Sequence, residues 1–284
     1  MEQAKLNTWP LCEHSRFVRS RPHEWHIQTM GAGETMLLLH GTGASTHSWR
    51  DIMPILATHY RVVAVDLPGH GFTRLGSKMR SSLEHVSTDL AALLQQESIT
   101  PSVIVGHSAG AAIALRLGMR TFPDATLIGI NPALEPFQGL AGVMFPVVAR
   151  MVAVTPGAVS VIARSLENPG RVISLLRGTG SDVPAANMNL YARLFRDRNH
   201  VEGTLMMLSQ WSLDGLLDDL PRIRNTTVFI TGSRDRMVPP IGAVEAAHRM
   251  PNAVVQSVDG CGHLVHEEAP EAVARRIIAA LKAN

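Results

Sequence analysis

Ser108 stands between Gly106 and Gly110 in the run VIVGHSAGAAIAL, residues 103–115. Val103 to His107 read as a short buried strand. From Ala109 onward, Ala, Ile and Leu recur at spacings that suit a tightly packed helix. The serine therefore falls on the turn between them, where a strained strand–turn–helix elbow would lift its hydroxyl clear of the sheet as a nucleophile. Such a turn leaves no room for side chains two residues before and after the serine, and Gly106 and Gly110 meet that need. G-x-S-x-G alone is modest evidence, because chance supplies about 0.1 matches in a chain of this length. The strand and helix around it carry the reading, against the plain alternative of an incidental serine in a Gly-rich turn.

A serine hydroxyl is a poor nucleophile until a base takes its proton and a third group orients that base. ITGSRDRMVPP places Asp235 just past a predicted strand, and VDGCGHLVHEEAP places His263 in the loop after the following strand. Both then lie at carboxyl ends of strands, on the sheet edge that also holds Ser108, where open α/β sheets bind ligands. Glu135 and Asp214 are rival acids with less clear context. His266 is a rival base, read as lying behind His263 or at the surface because Glu267 and Glu268 follow it at a helix start. Attack on a carbonyl also needs donors for the oxyanion. The backbone N–H of Ala109 is one, and the loop HGTGAST (40–46) offers the other, at Thr42 or failing that Gly43. No cofactor or metal is expected, since His263 and His266 lack the helical H-E-x-x-H arrangement. LLLHGTGAST with Asp66 downstream imitates a dinucleotide fingerprint, but Thr46 stands where G-x-G-x-x-G needs its last glycine.

These loops need a frame. Strands are expected over 35–40, 61–66, 103–107, 125–130, 226–232 and 253–260. Helices are expected over 48–57, 81–96, 109–120 and 241–250, with a last one from Pro270. Ser81 and Glu84 have capping-box spacing. Leu83, Val86, Leu90, Leu93 and Leu94 share one face of the second helix, and Val273, Ile277, Ile278 and Leu281 one face of the last. Strand–helix alternation of this kind argues a mostly parallel sheet covered by helices on both faces. It lapses between 131 and 212, which reads as a helical cap inserted into a core domain made of 1–130 and 213–284. Residues 139–163 are nearly uncharged, yet Arg150, Pro146 and Pro156 argue against a membrane span. Met144, Phe145, Val147, Val148 and Met151 would line an apolar substrate pocket together with Gly43, His107 and Val238. Bulky hydrophobic ligands would suit such a wall.

At 284 residues, 45% hydrophobic and 18% charged, the chain can bury a sizeable core. A formal charge of +2 with scattered Lys and Arg gives no nucleic-acid surface. Two cysteines, Cys12 and Cys261, imply no disulfide framework, and the start MEQAKLNTWP lacks the apolar run of a secretory signal.

Taken together, HGTGASTHSW, DLPGHG, GHSAG, GSRDRMVPP and GHLVHEE resemble the α/β-hydrolase superfamily over residues 25–282. Ser108 matches that superfamily's nucleophile, Asp235 its acid and His263 its base. A serine at the elbow sets the chain apart from haloalkane dehalogenases and epoxide hydrolases, which carry aspartate there. LLLHGTGASTHSWRDIMPILA, VDLPGHGFT and WHIQTMGAG look particularly like the magnesium-chelatase accessory α/β-hydrolases of bacteriochlorophyll synthesis. That resemblance implies a cytoplasmic protein of photosynthetic bacteria, linked to magnesium insertion into protoporphyrin and to magnesium-chelatase subunits as partners. Two readings follow. One is a serine hydrolase cleaving an ester-type acyl bond of a hydrophobic substrate, with C–C and perhydrolase chemistry able to use the same residues. The other is a non-catalytic porphyrin-handling or chelatase-assisting protein on a hydrolase shell.

Overall fold

The computed structural model describes residues 1, 3–135, 155, 157–166 and 168–282. Met144, Phe145, Val147, Val148 and Met151 lie outside the described residues, as do Pro146, Arg150 and Pro156. Among the described residues eight strands form one sheet: β1 (Ser15–Ser20), β2 (His23–Met30), β3 (Thr35–Leu39), β4 (Arg61–Val65), β5 (Val103–His107), β6 (Thr126–Ile130), β7 (Thr227–Gly232) and β8 (Ala253–Val258). Their spatial order is β1-β2-β4-β3-β5-β6-β7-β8. From β4 to β8 every pairing is parallel, while β2 pairs antiparallel with both β1 and β4. The β1–β2 hairpin was not read from the sequence. SRFVRS at the sheet edge half-buries its first three residues in a row, so its alternation is blunt.

The central strands read as unbroken apolar runs because both faces are covered. Alternate residues serve opposite cores. Leu37, Leu39, Val63, Val65 and Ile104 pack against α2 (Leu83–Gln96), α3 (Ala109–Arg120) and α9 (Pro240–Arg249). Met36, Leu38, Val62, Ala64 and Val105 pack against Trp49, α1 (Met53–Leu56), the short α10 (Val265–Glu268) and α11 (Pro270–Lys282). The expected stripes hold: Leu83, Val86, Leu90, Leu93 and Leu94 are buried, and so are Val273 and Ile277, with Ile278 and Leu281 packed beside them.

Two local expectations need correction. The helix expected over 48–57 is instead a 3₁₀ turn, Thr46–Trp49, followed by the four-residue α1. Pro54 has no N–H to give and its ring clashes with the carbonyl four residues back, which stops a continuous helix. The cap of α2 is Ser82, whose Oγ accepts from the His85 N–H; Ser81 lies one residue too early.

Between β6 and β7 the described residues hold helices: α4 (Ala158–Ser165), α5 (Pro169–Gly178), α6 (Ala185–Phe195), α7 (Arg198–Gln210) and α8 (Asp214–Asp219). Leu213, Leu216 and Leu220 belong to the sheet core, whereas Val172, Leu176, Met188 and Tyr191 form a separate cluster with Ala44 and Leu264. Among the described residues no helix is long and apolar enough to cross a membrane.

Candidate active site

The carboxyl ends of β3, β5, β7 and β8 run into the loops that carry the candidate residues. At the end of β5 the chain turns sharply at Ser108, which takes φ 53°, ψ −117°. A positive φ is uncommon for a residue with a Cβ and stores strain that the surroundings must hold. They hold it through three backbone bonds. The Ser108 N–H donates to Ile130 O at 2.9 Å, and its carbonyl accepts from Ala111 and Ala133 at 3.1 and 3.2 Å. The two glycines are obligatory for a packing reason. A Cβ on Gly106 would sit 2.2 Å from Gly110 O, and one on Gly110 would sit 2.2 Å from Leu39 O. Ser108 is half-buried, and its hydroxyl makes no hydrogen bond among the described residues.

Asp235 and His263 are brought together by the β7 and β8 loops. His263 Nδ1 donates to Asp235 Oδ2 at 2.7 Å, with the Asp235 side chain fully enclosed. The other carboxylate oxygen accepts from the N–H groups of Met237 and Val238 at 2.8 and 2.9 Å. Val238 thus contributes its backbone to orienting the Asp235 carboxylate. With Nδ1 committed to the carboxylate, the Nε2 of neutral His263 carries the free lone pair. The rival acids stand elsewhere: Asp214 accepts from the exposed Ser212 hydroxyl, and the Glu135 side chain packs over Gly242 of α9.

The His263 backbone is itself held. Its carbonyl accepts from His107 Nε2 at 2.9 Å and from Asn131 Nδ2 at 2.6 Å. His107, expected in the substrate pocket, is buried, and its ring holds the loop that carries His263. Burial first, then the neighbouring His266 and His263, keep its imidazole well below the usual histidine range. Asn131, at φ 40°, also accepts from the Gly232 N–H at 2.7 Å and donates to Gly262 O at 2.9 Å. One amide therefore ties the ends of β6 and β7 to the loop that carries His263. Sequence reading passed over it. The available signal was an Asn–Pro pair at a strand end, since Asn tolerates left-handed backbone better than most residues.

His266 is not at the surface, contrary to one half of the sequence reading. It is fully buried, its ring 4.6 Å from that of Trp49 and 4.5 Å from that of His107. Burial, with Arg50 and His263 nearby, lowers its pKa to about 3. Among the described residues no group of three or more His, Cys, Asp or Glu could hold a metal ion.

Loop 40–46 lies directly over the elbow: a Cβ on Gly41 would fall 3.0 Å from the Ser108 Cβ. His40 Nε2 accepts from the Leu67 N–H at 2.9 Å, so its Nδ1 carries the proton and donates to Gly41 O at 2.8 Å. Asp66 accepts from the Thr46 N–H at 2.7 Å, from the Phe72 N–H at 2.8 Å and from His26 Nδ1 at 2.7 Å. Its carboxyl is held below the ordinary range by His26 and the Phe72 amide, against the opposing push of burial. The residue that imitated a ribose-binding acid is thus a buried anchor for the loop. Among the described residues neither the Thr42 nor the Ala109 N–H has a protein acceptor. Gly43 takes φ 77° beneath Phe195 and Thr204, and its carbonyl accepts from His200. A separate cleft of about 650 Å³ opens between Gly69, Phe72, Arg74 and Lys78 and the α7 residues Glu202 and Gly203. It contains none of Ser108, Asp235 or His263.

Residues 36–276 match the profile of the alpha/beta hydrolase family. The chain belongs to the α/β-hydrolase family. It is 40% identical over 272 residues to the magnesium-chelatase 30 kDa subunit of Rhodobacter capsulatus, covering 95% of each chain. It is 30% identical to the pimeloyl-[acyl-carrier protein] methyl ester esterase of Xanthomonas campestris pv. campestris, over 90% of this chain and 99% of that one. Among solved structures, an α/β-hydrolase fold protein from Burkholderia ambifaria superposes with a TM-score of 0.75 at 23% identity, over 94% of this chain and 100% of that one. A serine hydrolase involved in carbazole degradation superposes at 0.77 and 19% identity, over 95% and 99%. At those identities the structures speak to the fold alone.

Proposed function

We propose that the protein is a serine hydrolase of ester-type acyl bonds. The observation that carries the reading is the buried 2.7 Å His263–Asp235 pair on the sheet edge where Ser108 occupies a positive-φ elbow. In this reading Ser108 Oγ attacks the carbonyl carbon and His263 Nε2 takes the hydroxyl proton. Asp235 holds the tautomer and stabilises the imidazolium. The N–H groups of Thr42 and Ala109 receive the oxyanion. His263 then returns the proton to the leaving oxygen, and water, deprotonated by the same imidazole, releases the acyl group. The esterase relative supports this chemistry.

A second reading is favoured by the relative named as a magnesium-chelatase subunit. In it the protein assists porphyrin metallation in bacteriochlorophyll synthesis, and the hydrolase shell is a binding scaffold. One experiment separates the two. Under the first, a fluorophosphonate labels Ser108 alone, and Ser108→Ala lowers turnover of p-nitrophenyl esters by about 10⁴-fold or more. Retention of over a tenth of native turnover in Ser108→Ala, or no ester turnover by the native protein, would sink it.

A further inference from the structure

The turn between α5 and α6, residues 179–182, belongs to the inserted helices yet touches both loops that carry the acid and the base. On the acid side, the Arg236 N–H donates to Thr179 O at 3.0 Å. Gly180, at φ 86°, lies so close to this loop that a Cβ would fall 2.1 Å from Arg234 O. On the base side, the Leu264 N–H donates to Ser181 Oγ at 2.8 Å, and a Cβ on Gly262 would fall 2.3 Å from the Gly180 carbonyl carbon. Glu268 closes the ring, its two oxygens accepting from the N–H groups of Gly262 at 2.9 Å and Asp182 at 3.1 Å. Ser181 is 4% exposed. Leu264 packs among Val172, Leu176 and Tyr191, in the same cluster as Ala44 of the 40–46 loop.

The peptide unit joining His263 to Leu264 is therefore gripped at both ends. Its oxygen is held by His107 and Asn131 from the sheet, and its N–H by Ser181 from the insertion. Because the peptide is planar, two such anchors fix its rotation and hence the direction of the His263 side chain. We propose that Ser181 is a positioning residue for the acid–base pair, and that docking of the α5–α6 turn and alignment of His263 on Asp235 are one event. Displacing the insertion removes one anchor and lets the plane swing. A misplacement of about 1 Å can cost 10²-fold in rate. The inference rests on the roles proposed for Asp235 and His263.

Two readouts test it, one of them independent of turnover. The His263 Nδ1 proton shared with Asp235 is to be observed as a low-field ¹H resonance of the substrate-free protein, in native, Ser181→Ala and Glu268→Gln forms. The expected result is a shifted or broadened resonance in both variants. With p-nitrophenyl esters, kcat should fall about tenfold with KM within twofold, while the thermal midpoint changes by only a few degrees. Glu268→Gln keeps side-chain size and serves if Ser181→Ala fails to fold. An unchanged resonance, a rise in KM alone, or a kcat loss no larger than the loss of folded protein would overturn the proposal. Absence of ester turnover in the native protein would strike the hydrolase reading instead, and the resonance would still decide this one.

Discussion

His263 and His266 sit three positions apart and face opposite demands. His263 Nδ1 is bound to Asp235, while His266 is shut between Trp49 and His107 with neither ring nitrogen hydrogen-bonded. His263→Ala should abolish ester turnover with little change in stability. His266→Ala should retain most turnover per folded molecule and lose about 2–5 kcal/mol of stability through the cavity it leaves. Turnover and urea midpoints of the two variants check this; a stable, inactive His266→Ala would move the base to position 266. At this scale the placement of Ser108, Asp235 and His263 just past strand ends was legible, because each sits in its own strand–loop context. Asn131 and Ser181 were not, since their meaning lies in partners 132 and 83 residues away. Local sequence cannot pair such residues.

Helices and strands were legible wherever one physical signal dominated. Fully covered strands read as apolar runs, and α2 and α11 as periodic stripes. Two neighbouring serines expose the limit, because Ser81 and Ser82 are equivalent in type and separated only by the phase of the helix. Ser82→Ala should cost about 1 kcal/mol, since it removes an acceptor for the first-turn N–H groups. Ser81→Ala should be neutral or slightly stabilising, because its hydroxyl is buried without a partner. Urea unfolding of both variants decides the register. A larger loss at position 81 would place the cap where the sequence spacing first suggested.

Across the whole molecule, an unusual share of the interior is imidazole. His40, His47, His70, His107, His200 and His266 are all buried, and burial is the leading cause that lowers each of them. His70 and His266 fall to about 3 from the ordinary histidine value of 6.5. Between those values the unfolded chain binds protons that the folded chain refuses. Stability therefore rises with pH through this window and is lost as pH falls from about 6.5 toward 3. Each refused proton is worth about 1.4 kcal/mol per pH unit, so these two histidines alone predict about 3 kcal/mol per unit near pH 5. Glu267, whose carboxyl burial raises, has the opposite sign: it favours the fold at low pH and offsets part of the slope. Unfolding free energies measured from pH 7 to 4.5 test the sum. A flat profile would mean that the buried rings take up protons without disrupting the fold.

The order of strands in the sheet has a consequence for how the protein is born. From β5 onward the spatial order β5-β6-β7-β8 is also the order of synthesis, so each new strand emerges to find its parallel partner already made. Ser108 leaves with β5, the third of the parallel strands, whereas Asp235 and His263 follow β7 and β8. At about 5–20 residues per second, the 155 residues from 108 to 263 take roughly 8–31 seconds to translate. On the proposed chemistry, the nascent chain would hold Ser108 throughout that interval without the imidazole that activates it. If the proposed triad acts, the sheet would be its own timer, with reactivity waiting until its last edge strand has joined.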